Sequence, residues 1–160
     1  MKRLLIVLIA VFAVLGLGTA PAVAASPHFL RASAAGPDNA GNLAVNFKIA
    51  GLGDNVTLTV TASADATAVY ACQNNGGNFP SDPKKTESTG RVTASGDFTS
   101  GKNGSITGSL TLSPPPTTLS CPGGQRRVLV SVSYTNVQVS APGAGAESIP
   151  GTFSRIFFNI

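Results

Sequence analysis

The sequence predicts an all-β fold, a single antiparallel β-sandwich, from three observations. Apolar and polar residues alternate along most of the chain, as in strands with one buried face. Clusters of Gly, Pro, Asn and Asp separate these runs, and the chain holds 18 Gly and 11 Pro in 160 residues, as expected for many turns between short strands. Helical periodicity is nearly missing after the first two dozen residues. Two packed sheets are therefore favoured, with a small β-barrel as the alternative.

The individual strands follow from where the alternation begins and stops. Clear alternation covers residues 43–49, 56–61, 92–98, 106–112 and 128–134 and resumes at Val137 and Val139, and weaker strands are predicted over 29–34 and 67–72. The phase changes at Thr135 and Asn136, which predicts a bulge or tight turn there. Turns are predicted at 51–55, 62–65, 95–97, 101–104 and 141–146. The apolar residues of 153–160 predict a final strand buried on both faces.

The first residues predict export. Lys2 and Arg3 precede an apolar run over residues 4–18, and Ala22-Val23-Ala24 forms a small-residue cleavage site. Residues 1–24 are thus predicted to be a secretory signal peptide cleaved near Ala24, which leaves residues 25–160 as one secreted sandwich domain. The apolar run is shorter than the about 20 residues of a membrane helix. We expect no membrane segment after cleavage.

The charge balance of the mature chain argues against nucleic acid as a partner. The full chain has 11 Lys+Arg and 7 Asp+Glu. Removing Lys2 and Arg3 leaves 9 against 7, a net charge of +2. Nucleic-acid binders usually cluster basic residues with aromatic ones between them, whereas Trp is absent here.

The two cysteines, Cys72 and Cys121, are predicted to form one structural disulfide, because an even count in an exported chain usually does. Closing a loop of this size stabilises the fold by about 4 kcal/mol in a chain-entropy model. The predicted sandwich is immunoglobulin-like in general architecture, and residues 67–72 match the immunoglobulin pattern around its second cysteine. However, the other cysteine lies downstream and no Trp packs on the bridge, which favours coincidence over a true tyrosine corner.

Several strings resemble a group of small secreted β-rich proteins of actinobacteria, which have no assigned function. The strings are YACQNNGG at 70–77, FTSGKNG at 98–104, SCPGGQ at 120–125, VSYTNV at 132–137 and SIPGTF at 148–153. The resemblance covers most of the mature length. It implies export from a Gram-positive cell and transfers no catalytic or binding residue.

No pattern in the sequence predicts an enzyme. The seven carboxylates lie mostly in predicted turns, and no Gly-x-Ser-x-Gly motif accompanies the single histidine, His28. One His and two Cys make a tetrahedral zinc site unexpected. The acidic and amide segment at 37–42 lacks the spacing of an EF-hand loop. We therefore expect no catalytic residue, no metal and no cofactor.

The best candidate site lies on the two loops that the disulfide would join, residues 73–85 and 113–127, because loops on a rigid scaffold often carry binding surfaces. The candidate ligand-binding residues are Asn74, Asn75, Phe79, Lys84, Lys85, Arg126 and Arg127. The predicted function is a non-catalytic, monomeric module that binds a cell-wall polymer or an extracellular polysaccharide. The alternative is a secreted hydrolase inhibitor that presents a Lys or Arg pair to a trypsin-like protease.

Overall fold

The computed structural model describes residues 26–160, which contain eight β-strands and no helix. The strands are β1 (His28–Ala35), β2 (Leu43–Ala50), β3 (Thr57–Asn74), β4 (Lys85–Thr99), β5 (Ile106–Leu112), β6 (Gln125–Ala141), β7 (Gly145–Ile149) and β8 (Phe153–Ile156). Within the described part of the chain, no helix is long and apolar enough to span a membrane. The predicted signal peptide, residues 1–24, lies outside the described residues.

The strands form two antiparallel sheets, which confirms the predicted sandwich. One sheet has the order β1-β2-β5, and the five-stranded sheet has the order β4-β3-β6-β7, with β8 pairing with β6 after β7. The two sheets do not close into one, so the barrel alternative is wrong. If the strands are lettered in chain order, the first sheet holds A, B and E, and the second holds C, F and G. This resembles the immunoglobulin arrangement, but the fourth strand pairs with C rather than E, and β8 is an additional strand beside F.

The core lies between the sheets and consists of one face of each alternating run. In β3 the inward residues are small, with Ala62, Ala64 and Ala68 fully buried, whereas β2 supplies large side chains such as Leu43 and Phe47. Large residues on one sheet thus meet small ones on the other, which allows close packing. Each large apolar side chain stabilises the fold by about 1.5–3 kcal/mol through its burial.

Two predicted turns are wrong, because the long strands pass straight through them. Residues 62–65 lie inside β3, and residues 95–97 lie inside β4. Their composition of Ala, Ser, Gly and Asp is typical of turns, but the alternation is unbroken: Ala62 and Ala64 face the core, and the side chain of Asp65 lies on the outer face. The 15-residue β4 pairs with β3 along its whole length, so the neighbouring strand decides the local conformation.

The predicted irregularity at Thr135 and Asn136 is confirmed as a bulge. Asn136 has a φ of 50°, in the left-handed region that asparagine tolerates. Ser63 pairs with Gln138 while Asp65 pairs with Thr135, so β6 contains one extra residue here. Apolar residues on both sides of the bulge therefore still face the core.

The final strand is shorter and more exposed than predicted. Strand β8 ends at Ile156, whose side chain is 68 % exposed. The prediction of burial on both faces is wrong, because β8 lies at the edge of the sheet with only β6 beside it. After β8, Phe157 packs against the core and its backbone N–H donates to the carbonyl of Val130 at 2.8 Å.

Candidate functional site

The predicted disulfide is present and organises one end of the sandwich. Cys72 at the end of β3 is bonded to Cys121, with 5.5 Å between their Cα atoms. The segment 113–124 lies against the ends of β3 and β6, and the hydroxyl of Tyr70 donates to the carbonyl of Pro115 at 2.9 Å. This contact lies 45 residues downstream of the tyrosine, so it is not the tyrosine corner of immunoglobulin domains, which bonds a few residues upstream. We call this region, with segments 75–84 and 113–124, the disulfide end.

Two of the predicted cationic site residues donate to backbone carbonyls of segment 113–124. Lys84 donates to the carbonyl of Ser120 at 3.0 Å. Arg127 donates to the backbone carbonyls of Thr117 and Leu119 at 3.1 and 3.2 Å. These contacts fix segment 113–124 against the sheet.

Arg126 lies beside Arg127 but binds a different partner. Its guanidinium donates at 3.0 Å to the side-chain oxygen of Gln73, which is only 3 % exposed. The amide nitrogen of Gln73 in turn donates to the carbonyl of Gly77 at 2.8 Å. Arg126 therefore satisfies a buried amide, as buried polar groups require.

The remaining predicted residues lie around segment 75–84. The side-chain oxygen of Asn74 accepts the backbone N–H of Asn78 at 2.9 Å, which closes the turn. Phe79 is half-buried and packs edge-on against Phe158, with 5.3 Å between the ring centroids. Asn75 and Lys85 are exposed. The predicted residues are thus brought together at one end, and the side chains of five of the seven contact other parts of the protein's own chain.

A second candidate surface, missed by sequence reasoning, is the outer face of the five-stranded sheet. The register places hydroxyl and amide side chains in rows across it: Thr93, Ser63, Gln138 and Ser148 form one row, and Thr89, Thr67, Ser133 and Ser154 form another. Between these rows lie Arg91, Asp65 and Thr135. We call this surface the polar face.

Where the beginning of β3 pairs with the end of β4, hydrogen bonds between the two strands hold hydroxyl groups of the polar face in place. Thr57 and Thr99 share a hydrogen bond of 2.8 Å. Thr59 donates to Asp97 at 2.6 Å. Threonine has a restricted χ1 angle, so these cross-strand pairs fix the positions of the oxygen atoms that face solvent.

An ion pair lies at the centre of the polar face. Arg91 on β4 contacts Asp65 on β3 at 3.0 Å, and its other terminal nitrogen donates to Ser63 at 2.7 Å. The amide of Asn136, at the bulge, donates to the second oxygen of Asp65 at 2.8 Å. Hydrogen bonds from Asn136 and Arg91, with the positive charge of Arg91, lower the pKa of the Asp65 carboxyl below its usual value.

A trough crosses the polar face at this ion pair. It consists of two adjoining hollows of about 570 and 490 Å³, which share Arg91 and Thr135. The polar groups of the first are Arg91, Thr135, Asn136, Gln138, Ser148 and Thr152, and those of the second are Asp65, Thr67, Thr89, Arg91, Ser133 and Thr135. Both hollows are open to solvent on the outer face of the sheet. The first lies where the edge of the sheet passes from β7 to β8 through residues 150–152.

The chemistry of the trough is hydrogen bonding. Its polar groups are hydroxyls, amides, one carboxylate and one guanidinium, and no aromatic ring lines either hollow in the described structure. Residues 26–160 contain no group of three or more His, Cys, Asp or Glu that could hold a metal ion. At the segment 37–42, the Asp38 carboxylate instead accepts the backbone N–H groups of Ala40 and Asn42 at 2.8 and 2.9 Å.

The sequence contains only an indirect signal of the trough. Thr and Ser on alternating positions indicate a solvent-facing side of a strand, which is also what an ordinary exposed sheet shows. Arg91 and Asp65 are 26 residues apart, and only the β3–β4 register brings them together.

Comparisons with protein-family models, with curated proteins and with solved structures found no match.

Proposed function

We propose that this protein is a secreted, non-catalytic binding module that holds an extracellular polymer in the trough of the polar face. The observation that carries the proposal is that the two hollows adjoin at Arg91 and Thr135, which line both of them. Two hollows side by side across the strands fit an extended chain better than a compact small molecule. Its hydroxyl and amide lining complements a chain rich in hydroxyl groups, such as a polysaccharide.

The disulfide supports the secreted part of this proposal, because such bonds persist in oxidising compartments outside the cytoplasm. The predicted signal peptide, residues 1–24, would direct the protein to the export machinery. The trough lies on regular strands of the scaffold, which hold side chains more rigidly than loops do.

The disulfide end is the less favoured site for the polymer. Lys84, Arg126 and Arg127 donate hydrogen bonds to their own chain. A ligand there would have to compete with these contacts or use the exposed Asn75. The same contacts give the protease-inhibitor alternative less support, because an inhibitor needs a Lys or Arg side chain that projects into the pocket of the protease.

Sedimentation with insoluble polymers tests the proposal. Purified protein with its disulfide intact is mixed with Gram-positive cell wall, chitin and cellulose at low and at high salt. We expect retention on at least one polymer that persists at high salt, because hydrogen bonds to neutral groups are screened little compared with surface charges. Retention that disappears in salt, or no retention on any of the three, would contradict the proposal.

Retention of single-site variants then shows which surface of the protein binds the polymer. Arg91→Ala should weaken retention by about tenfold, which corresponds to the loss of one hydrogen-bonding charged group. Arg31→Ala is the matched control, because Arg31 is an exposed arginine on β1 of the other sheet. Asn75→Ala tests the disulfide end. Loss of retention only with that variant would move the site away from the trough.

A further inference from the structure

The charge of the trough and its course from one edge of the sheet to the other restrict the class of polymer that it can bind. Building on the proposed function, we infer that the ligand is an uncharged polysaccharide, bound through an interior stretch of its chain that lies across the strands. Two separate observations carry this inference, one for the charge and one for the geometry.

The first observation is the charge of the polar face. It has two cations, Lys85 and Arg91, against three carboxylates, Asp65, Glu87 and Asp97. Arg91 lies in the trough, and there its charge is balanced by Asp65 at 3.0 Å. The sequence as a whole suggests the opposite preference, because the mature chain has a net charge of +2, but the cations Lys84, Arg126 and Arg127 lie at the disulfide end. An acidic chain would therefore meet no unbalanced positive charge in the trough.

Arg91 still has hydrogen-bonding capacity for a neutral ligand. A guanidinium has five N–H donors, and the structure uses one for Asp65 and one for Ser63. The remaining donors can bind sugar hydroxyls. Asp65 accepts from Arg91 and Asn136 and thereby fixes the direction in which these donors point.

The second observation is the course of the trough. It begins at Thr89 and Arg91 on β4, which is one edge strand of the sheet, and reaches Ser148 and Thr152 at the other edge. It therefore crosses β4, β3, β6 and the β7–β8 edge, and three strand spacings give a length of about 14 Å. Because the trough runs from edge to edge, a long chain can enter at one side and leave at the other. Binding therefore does not require an end of the polysaccharide.

A pair of polymers with the same backbone tests the charge. Hydroxyethyl cellulose is neutral and carboxymethyl cellulose is acidic, and glycol chitin and carboxymethyl chitin form a second pair. Affinity electrophoresis measures binding to all four at low salt. We expect the neutral member of at least one pair to bind about tenfold more tightly than its acidic partner, as an unpaired carboxylate in a site without a free cation requires.

The variant Asp65→Asn sharpens this test. It removes the carboxylate that neutralises Arg91 and nearly keeps the size of the side chain. We expect its affinity for the acidic polymers to rise several-fold relative to the neutral ones. The matched control is Asp97→Asn, which removes a carboxylate of the same face outside the trough. An unchanged preference in Asp65→Asn would contradict the role assigned to the ion pair.

Chain length tests the interior binding. Partial hydrolysis of the retained polymer multiplies the chain ends at constant mass, and the amount of protein bound per gram should stay the same. Binding that rises with the number of ends overturns this part of the inference. Binding to acidic polymers in preference overturns the charge part and leaves the proposed function standing. No binding to any polymer, insoluble or dissolved, overturns the proposed function itself.

Discussion

The hydroxyl of Tyr134 donates a hydrogen bond of 2.8 Å to the carbonyl of Gly41. Tyr134 is fully buried on β6, and Gly41 lies in the connection between β1 and β2. The bond therefore joins the five-stranded sheet to the smaller sheet across 93 residues of sequence. It holds the scaffold whose outer surface is the polar face.

Removing this hydroxyl should destabilise the protein. Tyr134→Phe leaves the carbonyl of Gly41 without this donor, at an expected cost of about 1–3 kcal/mol in the free energy of unfolding. Urea denaturation measures it. Tyr70→Phe is the matched control, because Tyr70 also donates to a backbone carbonyl but is only half-buried, where water can replace the hydroxyl. Equal stability of Tyr134→Phe and the wild type would contradict the structural role of the bond.

The buried tyrosines also predict a loss of stability at alkaline pH. Burial raises the pKa of Tyr134 far above its usual value of 10.0, and burial also raises that of Tyr70. Above about pH 10 the unfolded chain loses these protons while the folded chain keeps them, so stability falls as pH rises. Unfolding free energies between pH 8 and about pH 11 test this. The decline should be smaller in Tyr134→Phe, and an identical decline in both proteins would contradict the assignment.

The disulfide should contribute much of the stability of the disulfide end. Replacing both Cys72 and Cys121 with Ala opens a loop of 49 residues and should cost up to about 4 kcal/mol in the chain-entropy model. Backbone N–H groups of segment 113–124 should then exchange faster with solvent, whereas those of β2 should retain relative protection. Unchanged exchange in segment 113–124 would mean that Arg127, Lys84 and Tyr70 hold it without the bridge.

The close packing of two aromatic rings against Gly108 predicts that an alanine there destabilises the protein far more than an alanine at Gly90. A Cβ at Gly108 would lie 2.6 Å from the Phe98 ring and 2.7 Å from the Phe47 ring, and these rings pack edge-on with centroids 5.0 Å apart. Gly108→Ala should therefore cost about 1–3 kcal/mol through overpacking. Gly90→Ala on β4 is the control, because its added Cβ meets nothing within 4 Å. Similar stabilities of the two variants would contradict the packing described.

The all-β fold could be predicted because alternation is a local property of the sequence. It was sufficient for β2 and β5, and the phase change at Asn136 located the bulge. The turn predictions at 62–65 and 95–97 were wrong, because the small and polar residues there are typical of turns. There the partner strand determines the conformation, and pairing partners are not visible in a single sequence.

The site was harder to predict than the fold. The cysteine count was enough to predict the disulfide, and the loops it joins do come together. However, the sequence could not show that Lys84 and Arg127 donate to backbone carbonyls of segment 113–124. The Arg91–Asp65 pair was equally hidden, because it depends on the register of two long strands.

The most direct measurement of the central claim is to fill the trough and ask whether polymer retention is lost. Thr67→Trp places a large side chain in the trough, and Thr59→Trp places the same side chain on the same face and strand outside it. Both proteins should fold, because tryptophan is favoured in strands. We expect Thr67→Trp to lose retention on the polymer that the wild type binds, whereas Thr59→Trp should keep it. Full retention by Thr67→Trp would contradict the trough as the binding site.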